Sequence, residues 1–171
     1  MKNHLILVVT AAPDLIVGDI TYNTEEIIRL IRENAPAGVI VFPELSVTGY
    51  TCADLFLNEL LLEEAETALV QIAKATENLG VTAVVGVPVR FENHLYNCGA
   101  VLSGGEVKAL IPKSYLPNYS EFYECRWFVS GRDLKERSVC IAGTDVPFGT
   151  DVLAEDPVTG TCCHTPDHRC G

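Results

Sequence analysis

Apolar positions along the chain form two kinds of pattern: short continuous runs and longer stretches with a period of three to four residues. The continuous runs have the length of strands and occupy residues 5–10, 38–42 and 81–85. Runs of this kind are typical of strands in a parallel sheet, where helices cover both faces. We therefore predict three strands here, and we expect the first two to be buried on both faces.

The two stretches between these runs have the apolar spacing of amphipathic helices. The first follows Asn23, which can cap a helix, and Glu26 lies three residues later in the position of a capping box. The second covers residues 54–79, and Gly80 is placed to terminate it in the left-handed conformation. We predict one helix in each stretch, each joining two strands.

From residue 81 onwards the pattern predicts strands joined by tight turns. Asn93 lies at one predicted hairpin turn, and residues 103–105 (SGG) separate two further strand candidates, residues 98–102 and 106–111. The order strand, helix, strand, helix, strand, hairpins predicts an α/β layered fold. Because the later strands meander, we expect the sheet to be mixed.

Length and composition support one domain followed by a short tail. A chain of 171 residues suits a single domain, and 48% hydrophobic residues are enough for a core. We predict that the domain spans residues 1–153. Residues 154–171 are rich in turn formers and have no apolar period, so we predict an irregular or disordered tail there.

Charge and cysteine content exclude several classes of partner. The formal net charge is −11, from 23 acidic and 12 basic residues. Such a surface repels phosphate backbones and lacks a basic membrane-binding patch, so we expect neither nucleic acid nor a membrane as a partner. The seven cysteines are odd in number and do not form a disulfide framework, which favours a reducing, cytoplasmic location.

Two charged residues, Glu44 and Lys113, each come directly after a proline that follows a predicted strand. In open α/β sheets, sites form at the carboxyl ends of strands. A partly buried carboxylate there is suited to act as a general base, and a cation can stabilise an oxyanion. Either residue alone could be an ordinary surface charge. Their matching positions favour a joint role in activating a nucleophile.

The segments around these two residues resemble the catalytic signatures of nitrilase-like carbon–nitrogen hydrolases. Residues 41–56 (VFPELSVTGYTCADLF) look like the first signature, and their GY-x-x-x-DLF pattern is most similar to the glutaminase domain of glutamine-dependent NAD synthetases. Residues 111–128 (IPKSYLPNYSEFYECRWF) resemble the second signature of the same group. The resemblance runs from about residue 5 to residue 153. It implies a nitrilase-like α/β/β/α sandwich, of which this chain holds an incomplete part.

The resemblance also implies roles for individual residues. Glu44 would be the general base, Lys113 would stabilise the tetrahedral intermediate, and Tyr119 would contact the substrate glutamine. Glu121 matches an acidic position beside the catalytic lysine, with a salt-bridged loop carboxylate as the alternative. We expect the neighbouring aromatic residues to serve packing: Phe122, Tyr123, Trp127 and Phe128. The implied reaction is amide hydrolysis through a thioester, without a metal.

The family's third catalytic residue, a cysteine, has no convincing counterpart. In the family it follows an apolar strand in a pattern like V-E-I-C-E-D, whereas Cys162, Cys163 and Cys170 lie in turn-rich sequence. We therefore expect the chain to be truncated or frame-disrupted before this signature, and inactive as a fragment. A zinc site formed by these cysteines with His164 and His168 is an alternative, although adjacent cysteines do not easily serve one tetrahedral ion.

For the intact protein, the resemblance implies release of ammonia from glutamine for NAD synthesis. ATP and nicotinic acid adenine dinucleotide would bind a synthetase domain that lies outside this chain. We interpret residues 103–105 as a hairpin turn, not a phosphate loop, so we expect no cofactor here. The implied partners are glutamine, the synthetase domain and further copies in a homo-oligomer. A stand-alone nitrilase-like amidase acting on another small amide, and a catalytically dead binding or assembly module, remain as alternatives.

Overall fold

The computed structural model describes residues 6–135, 137–155 and 162–164, with backbone alone for residues 153–155 and 162–164. Its centre is a five-stranded sheet in which the strands lie in sequence order. The strands are β1 (Val8–Thr10), β2 (Val39–Val41), β3 (Thr82–Phe91), β4 (His94–Ser103) and β5 (Glu106–Pro112). The first three are parallel and the last two pairings are antiparallel, so the predicted α/β class with a mixed sheet is confirmed.

Two helices make the crossovers between the parallel strands, as such strands require. They are α1 (Ile20–Glu33) and α2 (Glu59–Ala75), which pack against each other. Their apolar faces and the sheet share one core, to which Ile27, Ile31, Leu69, Ile72, Ile40, Ala83 and Val85 all contribute fully buried side chains. This part of the chain thus supplies one helical layer and one sheet layer.

The prediction that Asn23 caps the first helix is wrong. Helix α1 begins three residues earlier, and the side chain of Asp19 caps it by accepting a hydrogen bond from Tyr22 N at 3.0 Å. Asn23 is fully buried, and its amide donates to Ile16 O at 2.9 Å and to Val47 O at 3.1 Å. The residue therefore ties the helix to the loop after β2, because a buried amide must find partners.

The prediction of a single helix over residues 54–79 is wrong at both ends. A 3₁₀ helix (Ala53–Leu57) comes first, and Asn58 then caps α2 by accepting from Leu60 N at 2.9 Å. Helix α2 ends at Ala75, and Gly80 follows it with a φ of +67°. Gly80 has the left-handed conformation that was predicted, but it lies beyond the helix end.

Strand β1 is not buried on both faces, contrary to the prediction. It lies at the edge of the sheet, where Val8 is 57% exposed and the preceding Leu7 is 59% exposed. In β2, Ile40 is fully buried on the helical side, whereas Val39 and Val41 are only partly buried. Within the described residues, the helices cover one face of these strands and leave the other partly open.

The remaining strands form two small hairpins. Strand β6 (Ser138–Ile141) pairs with β7 (Thr144–Pro147), and β8 (Leu153–Glu155) pairs with β9 (Cys162–His164). The second hairpin falls in the segment predicted to be an irregular tail. Because the rest of that segment lies outside the described residues, the boundary at residue 153 stays a prediction. In the described part of the chain, neither helix has the length and apolar character needed to cross a membrane.

Candidate active site

Glu44 lies in the loop that leaves β2 and folds back against β3. Three hydrogen bonds hold the loop there: Phe42 N to Val84 O at 2.9 Å, Val47 N to Gly86 O at 3.1 Å, and Gly86 N to Ser46 Oγ at 3.1 Å. Leu45, the next residue, is fully buried and has a φ of +51°. Non-glycine residues rarely adopt this left-handed conformation, so packing must stabilise it. The carboxylate is therefore attached to a well-anchored backbone.

Lys113, at the carboxyl end of β5, contacts Glu44 directly. Its Nζ donates to Glu44 Oε1 at 2.6 Å, although 69 residues separate the two in sequence. Strands β2 and β5 run in the same direction, which brings their carboxyl ends to one edge of the sheet. The structure thus brings together the two charges that the sequence singled out.

Asn97 of β4, which sequence reasoning missed, joins both members of this pair. Its buried side-chain amide donates to Glu44 Oε1, and its backbone carbonyl accepts from Lys113 N at 2.8 Å. Two donors therefore share one oxygen of the Glu44 carboxylate. Among the described residues, nothing donates to the second oxygen, Oε2, which stays available to accept a proton.

A second carboxylate, that of Glu124, lies on the other side of Lys113. Lys113 Nζ is 2.9 Å from Glu124 Oε1 and 3.1 Å from Oε2, and the Glu124 side chain is only 3% exposed. Tyr50 Oη donates to Glu124 Oε1 at 2.6 Å. The expectation that Glu121 lies beside the lysine is wrong, because Glu121 is exposed and makes no ion pair within the described chain. The 3₁₀ turn that begins at Glu124 presents that later glutamate to Lys113 instead.

The environment keeps Lys113 and Tyr50 protonated. Burial by itself lowers the pKa of Lys113, but its hydrogen bonds to Glu44 and Glu124 outweigh burial and raise it. Burial, together with the hydrogen bond to Glu124, raises the pKa of the Tyr50 hydroxyl well above its usual range. Lys113 is therefore a permanent cation near neutral pH, and Tyr50 is a permanent donor.

Tyr119, predicted to contact the substrate, is 68% exposed, and its ring lies 5.8 Å from that of Phe122. No hydrogen bond joins it to Glu44 or Lys113 in the described part of the chain, so its role stays a prediction. The packing expected of the neighbouring aromatic residues holds for Phe128, which is buried against Phe56. Tyr123 differs, since it is 54% exposed although its ring contacts Trp127.

Asp54 fastens the two loops that carry Tyr50 and Glu124 to each other. Its carboxylate accepts from Arg126 Nε at 2.8 Å, from Arg126 Nη2 at 2.9 Å and from Trp127 Nε1 at 2.9 Å. Two parallel bonds from a guanidinium give this contact a fixed geometry. The aspartate of the GY-x-x-x-DLF pattern therefore positions the segment that supplies Glu124.

Comparison with known proteins identifies the family. Residues 8–156 match the family model described as carbon-nitrogen hydrolase. The chain belongs to the carbon-nitrogen hydrolase family. This confirms the resemblance inferred from the segments around Glu44 and Lys113, and it agrees with the mixed α/β fold described above.

Two of the proteins to which this carbon-nitrogen hydrolase is similar are glutamine-dependent NAD(+) synthetases. The protein from Mycobacterium leprae is 39% identical over 139 residues, which is 80% of this chain and 20% of the relative. The protein from Aquifex aeolicus is 43% identical over 118 residues, 68% of this chain and 21% of the relative. A crystal structure of a glutamine-dependent NAD(+) synthetase from Cytophaga hutchinsonii superposes with a TM-score of 0.79 at 32% identity, covering 86% of this chain and 26% of that one. The chain thus spans about a fifth of the length of these two curated relatives.

The three cysteines considered as candidate nucleophiles of this carbon-nitrogen hydrolase lie outside the residues described with side chains. Cys162 and Cys163 are described by backbone alone, and Cys170 lies outside the described residues. Of the cysteines that are described in full, Cys52 and Cys98 are buried, and burial raises the pKa of both thiols. The described residues contain no cluster of three potential metal ligands. The side chains of the alternative zinc site lie outside the described residues.

The Asp54 contact predicts an optical signal, because Trp127 is the single tryptophan of the chain. Hydrogen bonds from Arg126 and Trp127 lower the pKa of Asp54 to about 2. A lowered pKa means that the contact is fully formed above the ordinary value of 3.8 and is lost as the pH falls through about 2. We expect tryptophan emission to change in that interval. The step should be absent in Asp54→Asn and unchanged in Asp145→Asn, and an identical step in Asp54→Asn would contradict the assignment.

Proposed function

We propose that this chain supplies the general base and the oxyanion-stabilising cation of a glutaminase site, which releases ammonia for NAD synthesis. The observation that carries the proposal is the 2.6 Å contact between Lys113 Nζ and Glu44 Oε1 at the carboxyl edge of the sheet. Similarity to glutamine-dependent NAD(+) synthetases supports glutamine as the substrate. The same similarity supports a synthetase domain as partner. We propose in addition that ATP and nicotinic acid adenine dinucleotide bind that domain and that the intact protein is a cytoplasmic homo-oligomer.

In the proposed reaction, Glu44 acts first as a base. Its free Oε2 takes the proton from a cysteine thiol, and the thiolate attacks the side-chain amide carbon of glutamine. The carbonyl oxygen becomes an oxyanion, which the Lys113 ammonium stabilises. The tetrahedral intermediate collapses to a thioester as the leaving nitrogen takes the proton back from Glu44 and departs as ammonia. The nucleophile is a thiol that the described residues do not place.

The second half of the reaction uses the same two groups. Glu44 Oε2 removes a proton from water, and the resulting hydroxide attacks the thioester carbon. Lys113 again stabilises the oxyanion, and the thiolate leaves and regains the proton, which releases glutamate. Tyr119, which is 68% exposed, is the proposed contact for the substrate. Because Glu124, itself held by a hydrogen bond from Tyr50, contacts Lys113 from behind, the ammonium stays in one place through both steps.

The test uses a chimera in which residues 8–147 of this chain replace the matching residues of the Mycobacterium leprae protein. NAD formation is measured with glutamine and, separately, with ammonium, which needs no glutaminase. We expect both to support NAD formation. A chimera that uses ammonium but not glutamine would contradict the proposal, while the ammonium reaction shows that the protein is folded.

A parallel assay separates the alternative functions. The chain itself is incubated with glutamine, asparagine and simple aliphatic amides, and released ammonia is measured. Cleavage of simple amides but not of glutamine would favour a stand-alone amidase. Release of ammonia from glutamine by the chain alone would exclude the dead-module alternative. Alanine substitutions at Cys162, Cys163 and Cys170 would then identify the nucleophile.

A further inference from the structure

Gly86 of β3 lies directly beneath the loop that carries Glu44. A Cβ atom built on Gly86 would lie 2.6 Å from Pro43 O, 2.7 Å from Glu44 C and closer still to Leu45 N. All three are backbone atoms of the Glu44 loop, so no side-chain rotation relieves the overlap. Any residue other than glycine at this position must therefore move the loop or the strand.

Gly131 lies against the segment before Lys113, as Gly86 lies against the loop of Glu44. A Cβ on Gly131 would lie 2.6 Å from Pro112 Cγ and 3.0 Å from Pro112 O, immediately before Lys113. Gly131 N also donates to Lys113 O at 3.0 Å. The segment around each charged residue is thus packed against a glycine without room for a Cβ: backbone atoms around Glu44 at Gly86, and the ring and carbonyl of Pro112 at Gly131.

We propose that Gly86 and Gly131 are positioning residues of the site, each fixing the backbone of one member of the Glu44–Lys113 pair. Their absent side chains let the two Pro-charge segments lie flat against neighbouring backbone. The catalytic meaning of this positioning rests on the proposed function, but the positioning itself is a property of the ion pair and can be measured without substrate.

Gly99 shows that the close backbone contacts of Gly86 are not shared by every glycine in these strands. Gly99 is the direct cross-strand partner of Gly86 in the β3–β4 pairing. A Cβ on Gly99 would contact only Val84 Cγ1, at an ordinary distance of 3.9 Å. Of these two paired glycines, Gly86 therefore lies against the Glu44 loop, whereas Gly99 has room for a Cβ.

The displacement that an added Cβ forces is large compared with the tolerance of the ion pair. Restoring an ordinary separation from Pro43 O and Glu44 C requires the loop to move by roughly 1 Å, since contacts between carbon and backbone atoms are normally beyond 3.4 Å. A hydrogen bond of 2.6 Å that lengthens by this amount passes beyond normal geometry. The loop has little freedom to adapt, because Leu45 is already left-handed and fully buried.

The experiment compares Gly86→Ala and Gly131→Ala with the matched control Gly99→Ala. The reactivity of Lys113 towards acetic anhydride is followed by mass spectrometry from pH 8 to 12, with Lys74 of α2 as an internal reference. In the wild-type chain, the pH midpoint of Lys113 labelling should lie above the ordinary lysine value of 10.5. Both test variants should lower this midpoint, so that relative labelling of Lys113 at pH 9 rises about threefold or more. Gly99→Ala should leave it unchanged.

Folded test variants with the wild-type midpoint would overturn the proposal, as would an equal shift in Gly99→Ala. If Gly86→Ala does not fold, adding Leu45→Gly relaxes the left-handed segment, and the same midpoint decides the question. Failure of the proposed function is recognised separately, because the labelling needs no glutamine. In the chimera, the two test variants should lower kcat for glutamine more than they raise KM, while the rate with ammonium stays unchanged.

Discussion

Replacing Lys113 by methionine should lower the free energy of unfolding by about 3–5 kcal/mol, which is the usual cost of removing one partner from a buried ion pair. The reason is Glu124, whose side chain is 3% exposed and whose two oxygens both contact the lysine. Methionine fills a similar volume but leaves this carboxylate buried with Tyr50 as its remaining partner. Urea unfolding of the two proteins measures the difference.

Two further variants test whether the buried carboxylate of Glu124 causes this loss of stability. Lys108→Met removes a lysine of the same strand from an exposed pair with Glu106, and the expected change is below about 1 kcal/mol. Adding Glu124→Leu to Lys113→Met removes the buried carboxylate that has lost its cation, and this should restore a large part of the lost stability. Equal losses for Lys113→Met and Lys108→Met would contradict a buried ion pair at the site.

The contact of Lys113 with the two glutamates also makes the free energy of unfolding depend on pH. The pKa of Lys113 is raised on folding, so its contribution is fully present below the ordinary value of 10.5 and is lost as the pH rises through the raised value. The free energy of unfolding should therefore decrease above about pH 10.5. The Lys113→Met variant should show a smaller decrease in that interval, measured by urea unfolding at several pH values.

Replacing Glu44 by glutamine should reduce the glutamine-dependent rate of the chimera by about 10²–10⁴-fold, which is the usual contribution of a general base. Glutamine keeps the oxygen that accepts from Lys113 and Asn97, so the hydrogen bonds of Oε1 are conserved in kind. It replaces the free oxygen Oε2 by an amide nitrogen, which cannot take a proton from a thiol. The rate of NAD formation from each nitrogen source measures the effect.

The decisive control is whether Glu44→Gln lowers the glutamine-dependent rate alone. The rate with ammonium should be unchanged, and Glu64→Gln on the exposed face of α2 should change neither rate. A Glu44→Gln protein that keeps more than a tenth of the glutamine-dependent rate would show that another group acts as the base. A loss of both rates would show that the substitution disturbs the fold.

The two charges of the site could be predicted from sequence because each follows a strand and each lies in a recognisable motif. Asn97, Tyr50 and Glu124 could not, because their contribution depends on which segments meet in space. Asn97 belongs to an otherwise ordinary hairpin strand. The choice between Glu121 and Glu124 depends on the phase of one short 3₁₀ turn, which the spacing of acidic residues does not determine.

In the fold, too, local sequence predicted some features, whereas others depend on which segments meet in space. Apolar runs predicted the existence and order of the strands of the five-stranded sheet, but not which strand would lie at its edge, and β1 proved to be a half-exposed edge strand. The four strands after residue 137 were not predicted. Asn23 has the residue type of a helix cap, yet its amide is needed by buried carbonyl groups of two loops. Local propensity is a weak guide wherever a tertiary contact supplies the stronger interaction.

The change of strand direction at β3 has a consequence for the order of folding. Strands β3 and β4, of ten residues each, form a hairpin closed by a tight turn, and hairpins form in about 1–10 μs. Pairing of β2 with β3 instead requires closure of the long α2 crossover, which is slower because the chain entropy is lost before the contact forms. Asn97 and Lys113 belong to the early, local half and Glu44 to the late, non-local half. We therefore expect the ion pair to form only when the two halves join, so that its appearance marks a late step in the folding of this part of the chain.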